Sequence, residues 1–471
     1  MTTISAQYPQ GMESRLQPAS PNGRTLHRPP CSLQLPTILG FLSAFIPLTT
    51  QPFIAHASRA IINSDKVLVI DGQKIFPIGF TMPPPPDGKT RDGKNGIAEL
   101  ASAGATFLRT GGAWTPETIA REQKYLDAAA RYGMHCLPFL RENAAITSPH
   151  REQQLRQLIL RFRNHPGLGA WKGDDEPEWT KKPVEPLLRG REIIRELDPN
   201  HPVVLIQAPH GTVESLRQYN PTADIIGIDI YPISYPLGIH SLVTNYHRDL
   251  GLVGDYTRLM QEVGERKMPV WMVLQISYSG VLKPGKTLRM PTFAEERFMT
   301  YEAIIAGARG FLYFGGNNEG AMSAADRKLG WNWSFWYRVL KPVIQEIGSK
   351  SPLYPALVGP DAHLAIAANA APADREWQPN HQQSQPESPT GLNIEFCARE
   401  VGKDLFLLAC KRGGTTAKVE FSGLPQSAST AEVLYESPRT VHANDGKFTD
   451  WFAPYEVHVY RFRLDGKPGN P

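Results

Sequence analysis

From Ile62 to about Gly348 short apolar runs alternate with amphipathic stretches, and no other feature constrains the fold as strongly. The first run, "KVLVIDGQKIFPIGFT", opens with a hairpin turned at Asp71-Gly72 and enters a strand ending near Thr81. "GATFLRTG", "MHCLPFL", "LGAWKGDD", "PVVLIQAP", "DIIGIDIYP", "PVWMVLQ" and "GARGFLYFGG" bring the strand candidates to eight. Between them lie helical patterns such as "PETIAREQKYLDAAARYG", "REQQLRQLILRFRNH", "KPVEPLLRGREIIRELDP" and "TFAEERFMTYEAIIAGA". Near-continuous apolar strands imply burial on both faces, as in a parallel sheet. Eight alternations over roughly 290 residues fit an α/β chain closed as a (β/α)8 TIM barrel better than an open doubly wound sheet. The open sheet would carry a phosphate-cradling glycine turn. The nearest look-alike, "GLGAWKG", has the wrong spacing and no helix directly after it.

After Ser351 the strands become short and alternating: "HLAIAA", "GLNIEFCARE", "DLFLLACKR", "AKVEFSG", "AEVLYES", "GKFTDWF" and "YEVHVYRFRL". Turns such as Val401-Gly402-Lys403 and Asp445-Gly446 separate them, which predicts a small antiparallel β-sandwich domain. Within it "APADREWQPNHQQSQPESPTG" is a polar, Pro- and Gln-rich insertion. Cys397 and Cys410 fall on facing strands of one hairpin and on one face; either a disulfide or two half-buried thiols fit, the thiols better.

The N-terminus reads as an address. Arg15, Arg24 and Arg28 precede "LQLPTILGFLSAFIPL", and "IAHA" supplies small residues at Ala55 and Ala57. That order is a signal peptide, and the expected location is secreted or periplasmic. The alternative is an uncleaved anchor, but the run is shorter than the ~20 residues of a spanning helix. Pro36 and Pro47 also interrupt it, so stable membrane insertion is not expected after cleavage. The expected divisions are 1–57 for the signal peptide, 58–350 for the barrel and 351–471 for the sandwich.

Fifty basic residues against 46 acidic ones, with no basic stripe among aromatics, argue against a nucleic-acid partner. His-x-His pairs, a His-Glu-x-x-His helix and a Gly-x-Ser-x-Gly elbow are absent, so neither a metal nor a cofactor is expected. Chemistry concentrates instead in "GDDEPEW", behind the fourth strand, where Asp174, Asp175, Glu176 and Glu178 crowd together. Barrel active sites form at the C-terminal strand ends. A carboxylic acid beside other carboxylates keeps its proton near neutral pH and becomes the general acid of glycoside cleavage. If Glu176 points inward, strand parity turns Lys172 and Asp174 inward with it and leaves Asp175 leaning toward a neighbouring strand. Glu178 reads as a solvated loop acid, and Glu295 and Glu296 as solvated helix acids.

The hairpin before "FPIGF", Arg109 closing the second strand, the acid-Glu-Pro after the fourth and the terminal "APYEVHVYRF" resemble TIM-barrel glycoside hydrolases of clan A. The resemblance spans roughly residues 62–465. It implies that Glu176 is the acid/base, that Asp175 stands where the clan usually has Asn, and that Arg109 and Tyr231 line the site. At the strand-seven nucleophile position this chain has Gln275, and an amide cannot form a glycosyl ester. Three readings follow: an inverting enzyme, a retaining enzyme with a displaced nucleophile, or a barrel that binds sugar without cutting it. Asp229, ending strand six, and Glu319, after strand eight, are the candidates for a second carboxylate. Trp114, Trp171, Trp179, Tyr235, Tyr278, Trp331 and Trp333 lie near strand ends as candidate sugar platforms, and Gln275, Asn317 and Asn318 as partners for hydroxyls. Core packing suits Trp171 and Trp271 better. The expectation is an exported glycoside hydrolase acting on an oligo- or polysaccharide, with a non-catalytic carbohydrate-binding barrel as the alternative.

Overall fold

A computed structural model of the chain describes residues 57–233, 249–277, 289–372 and 394–464. The signal-peptide segment up to residue 56, Tyr235, Tyr278 and nearly all of the polar insertion lie outside the described residues.

The eight strand candidates form one sheet of parallel strands: β1 (Ile78–Thr81), β2 (Phe107–Thr110), β3 (His135–Pro138), β4 (Trp171–Asp175), β5 (Val203–Gln207), β6 (Ile225–Asp229), β7 (Val270–Gln275) and β8 (Gly310–Phe314). The strands are joined in spatial order β3-β2-β1-β8-β7-β6-β5-β4. Parallel bridges Cys136–Leu168 and Phe139–Lys172 link β3 to β4 and close the barrel. Helices α1 (Gly96–Ser102), α2 (Pro116–Tyr132), α3 (Pro149–Phe162), α4 (Val184–Leu197), α5 (Val213–Arg217), α6 (Leu252–Val263) and α7 (Phe293–Ile305) follow β1 to β7 in turn. Local signals set their ends. In α2, Thr115 accepts from the Thr118 N–H, Pro116 opens the first turn, and Gly133 ends the helix at φ 70°.

Phe107, Leu137, Val204, Ile206, Trp271, Val273 and Leu312 fill the barrel interior. Glycines make room for the large side chains: a Cβ on Gly79 would stand 2.8 Å from Leu312 Cδ2, and one on Gly169 2.7 Å from the Phe107 ring. The entry hairpin forms as expected, with strands Leu68–Ile70 and Gln73–Ile75 joined through Asp71 (φ 49°) and Gly72 (φ 81°). Both positive φ values match a type I′ turn.

The C-terminal region has two antiparallel sheets. One contains β9 (Ala367–Pro372), β12 (Ala417–Ser422) and β15 (Phe448–Phe452). The other, in spatial order, contains β10 (Ile394–Val401), β11 (Asp404–Lys411), β16 (Val457–Arg463), β13 (Thr430–Leu434) and β14 (Thr440–His442). Leu407, Phe421, Phe448, Phe452, Tyr460 and Phe462 form the sandwich core. The opposite face of the larger sheet carries Phe406, Leu408 and Val459 into the cluster that also holds Phe298 and Tyr301 of α7. Cys397 opposes Leu408 and Cys410 opposes Glu395, so the two thiols are diagonal neighbours, and both are free. Among the described residues no helix is long and apolar enough to cross a membrane.

Candidate active site

The C-terminal mouth of the barrel holds a cavity of about 230 Å³ lined by residues from seven strands, among them Thr81, Arg109, Lys172, Asp175, Glu176, Asp229, Tyr231 and Phe314. Residues from "GDDEPEW" therefore reach the mouth, though in a different order from that expected by simple parity. Lys172 pairs with Val204 and Asp175 with Ile206, so three steps on β4 match two on β5. The extra residue is a bulge, and it reverses the alternation beyond it. Asp175 and Glu176 consequently face the cavity. Asp174 turns outward, where both its oxygens accept from Lys182 at 2.7 Å and one also accepts the Asp175 N–H.

Glu176 sits at φ 48°, an unusual backbone state for a residue with a Cβ, and its N–H is tied to the Ile206 carbonyl at 2.9 Å. Its carboxyl hydrogen-bonds that of Asp229. Asp229 ends β6 deep in the cavity, and the Tyr231 hydroxyl also bonds it. Burial, then the charges of Glu176 and Asp175, push the Asp229 pKa well above the usual carboxylate range. Burial and Asp175 likewise raise Glu176, against the opposing pull of Lys172. Two carboxyl groups in contact cannot both ionise cheaply, so the pair holds a proton that the neighbouring acid does not. For Asp175, burial is outweighed by Lys172, at 2.9 Å, and by Arg109, and its pKa falls below the ordinary range. The cavity thus contains a proton-sharing acid pair beside a fixed carboxylate–ammonium pair.

Gln275 ends β7 as expected, but its amide is fully occupied. Its Oε1 accepts the Ile233 N–H at 2.8 Å and its Nε2 donates to the Ile233 carbonyl at 3.0 Å. Buried in this way, it locks the segment after β6 and does not line the cavity. Glu319 is exposed in the turn Glu319–Ala321, and neither it nor Asn318 lines the cavity. Asn317 faces a second cavity, which shares Arg109 with the first.

The aromatic expectations need correction. Trp114 donates to the Phe139 carbonyl at 3.0 Å and packs near Phe162. Trp331 and Trp333 are buried with Phe80 and Trp336 in the wall of the barrel. Trp179 alone of the tryptophans named near the mouth is exposed, stacked on His210 at 3.7 Å between centroids. Tyr231 lies stacked on Phe314 at 5.4 Å inside the cavity. Glu178 is buried and paired with Lys181 at 2.7 Å, and Glu296 is fully buried, so neither is a solvated acid. Glu295 pairs with Arg289 at 2.6 Å and caps α7 through Thr292. Among the described residues no group of three or more His, Cys, Asp or Glu side chains is placed to hold a metal ion. Lys172, Arg141, Arg121 and Phe139 were not singled out in the sequence as site residues. An arginine just past a strand end, as in "PFLREN", was the available signal for Arg141.

By sequence, no family model and no curated protein matches the chain. By structure it is similar to a glycoside hydrolase, with a TM-score of 0.55, 12% identity, and 87% of this chain and 97% of the other covered. It is similar to the same degree to a glycoside hydrolase family 5 protein from Bacteroides vulgatus, with a TM-score of 0.55, 12% identity, and coverage of 88% and 94%. At that identity the likeness concerns architecture. The chain has a glycoside-hydrolase-like fold, a TIM barrel followed by a β-sandwich.

Proposed function

We propose that the protein is an exported glycoside hydrolase in which Glu176 is the general acid and Asp229 the second carboxylate. The observation that carries this reading is the hydrogen bond between Glu176 and Asp229 at the barrel mouth, where burial and Asp175 keep a proton on the pair. One partner can then protonate a glycosidic oxygen while the other, once ionised, faces the developing positive charge or activates water. Lys172 and Arg109 keep Asp175 ionised, which holds the proton on the pair near neutral pH.

Retaining enzymes hold their carboxyl groups about 5–5.5 Å apart, and inverting enzymes about 6.5–9.5 Å. The hydrogen-bonded pair is closer than either, so a sugar must part it on entering. Asp229 is anchored at a strand end and bonded by Tyr231, whereas Glu176 stands on a loop at positive φ; Glu176 is the group that moves. The same closeness, with Gln275 consumed by the backbone, favours the second reading: a barrel that binds carbohydrate without cleaving it.

The deciding experiment incubates the purified full chain with a panel of polysaccharides and aryl glycosides and measures released reducing ends. Release that disappears in Glu176→Gln and Asp229→Asn supports hydrolysis. Binding to a member of the panel with no release by the unaltered chain gives the second reading instead.

A further inference from the structure

Beside the carboxyl pair lies a second cavity of about 180 Å³, lined by Arg109, Arg121, Arg141, Glu122, Asn317 and neighbouring backbone. Arg109 belongs to both cavities. Cations surround one aromatic ring here: the Arg109 and Arg141 guanidinium carbons lie 4.9 and 5.1 Å from the Phe139 centroid, and Lys172 Nζ lies at 4.8 Å. None of the three guanidinium groups makes a hydrogen bond or a close ion pair to another described residue, and the Arg141 Nε is buried without a partner. Elsewhere in the chain half-buried arginines meet acids, as Arg297 meets Glu346 at 2.8 Å and Arg439 meets Asp450 at 2.7 Å. The acid in this cavity, Glu122, is occupied: its oxygens accept from the Thr110 hydroxyl at 2.5 Å and the Gly111 N–H at 2.8 Å.

Arg109 is balanced in part by Asp175, but Arg121 and Arg141 pair with no acid among the described residues; gathering the three guanidinium groups in one cleft costs free energy through mutual repulsion, and an anionic ligand recovers it. Planar guanidinium forks match the paired oxygens of carboxylates and sulfates. We infer that this cavity is a subsite for an anionic substituent, so that the carbohydrate taken at the Glu176–Asp229 pair is acidic, bearing a uronate carboxylate or a sulfate ester. This rests on the hydrolase or sugar-binding reading of the adjoining cavity. The shared Arg109 sets the charged group of one sugar unit beside the bond at the carboxyl pair.

The test is an array of immobilised oligosaccharides in three classes, neutral, uronate-containing and sulfated, probed with the full chain carrying Glu176→Gln to prevent turnover. At low ionic strength an acidic member binds at least about tenfold more tightly than its neutral counterpart, and added salt narrows the gap. Whether the uronate or the sulfate class responds identifies the anion. Arg121→Gln and Arg141→Gln each weaken the acidic ligand about tenfold and leave neutral sugars unchanged. Arg121 is exposed on α2, so its replacement leaves the fold intact even if the Arg141 variant misfolds. Equal binding of neutral and acidic sugars, no binding of any acidic member, or unchanged affinity in Arg121→Gln overturns the inference. Acidic sugars bound but not cleaved by the unaltered chain remove the hydrolase reading and leave the anionic subsite standing. Cleavage of neutral sugars alone does the reverse.

Discussion

The barrel mouth and the seam between barrel and sandwich both bury charged groups, and they arrange them oppositely. At the seam, Arg412 reaches Asp255 and Glu395 at 2.7 Å and Glu302 at 3.0 Å. Arg258 grips both oxygens of Glu395 at 2.8 and 2.9 Å. Cations there meet anions, and the groups join α6, α7, β10 and the end of β11. At the mouth, acids meet acids in Glu176 and Asp229, while Arg121 and Arg141 meet no carboxylate among the described residues. Paired charges hold elements in place; segregated charges sacrifice stability and remain available to a ligand.

Substitutions in the two regions therefore have opposite consequences. The largest effect falls on activity. With Glu176 as the proposed general acid, Glu176→Gln lowers kcat/KM by roughly 10²–10⁴, while the thermal midpoint stays level or rises because a raised-pKa acid has gone. A fall in stability matching the fall in activity breaks the contrast. At the seam the largest effect falls on stability. Arg412→Met leaves Glu302, fully buried, without its cation. That costs about 3–5 kcal/mol, read from denaturant midpoints, with the remaining folded fraction keeping its kcat.

The layered architecture was legible because it rests on periodicity: eight apolar runs mark β1 to β8, and Asp71-Gly72 marks the entry turn. Glu176 and Asp229 were also reachable, since both close strands whose C-terminal ends form the mouth. Parity at Asp174 and Asp175 was not, because a bulge is set by pairing with β5, which a single strand's alternation does not encode. Tryptophans near strand ends suggested platforms, yet Trp331 packs against Phe80 and Trp333 against Trp331, since apolar area next to a barrel wall gains more from burial than from display. Glu296 looked like a solvated helix acid, but its face of α7 is turned inward. Arg121 and Arg141 come together because β2 and β3 pair side by side, a juxtaposition that neither segment's own pattern encodes.

The sandwich extends the paired-charge pattern to a group that titrates in an accessible range. Burial alone would lower the His458 pKa, but its bonds to Glu436, at 2.5 Å, and Glu456 raise it to about 9. Arg439 and Asp450 complete the cluster. A histidine raised in the folded state stabilises fully below its unfolded pKa of about 6.5 and loses that contribution as pH rises through about 9. His458→Gln therefore costs about 3 kcal/mol near pH 6 and little above pH 9.5, measured by guanidinium unfolding at both. A constant difference across that range means that packing, not charge pairing, sets the role of His458.

Asp229 supplies the smallest and most discriminating contrast, because its linkage has the same sense as that of His458 but arises from a penalty on the buried charged form rather than from paired charges. Its pKa is raised by burial and by Glu176, so its favourable contribution is present below the unfolded carboxylate pKa of about 3.9 and lost as pH rises through the higher folded value. At neutral pH and above, ionising it beside Glu176 and Asp175 opposes folding. Asp229→Asn removes the ionisation while keeping the size of the group, so it stabilises the chain at pH 8 and, on the proposed mechanism, abolishes cleavage. At pH 4 the native and variant chains unfold at similar denaturant concentrations. Destabilisation at pH 8 instead means that Asp229 is held ionised by a cation at the mouth and is a structural ion-pair partner like the acids of the seam, which would remove it from the proton-sharing pair.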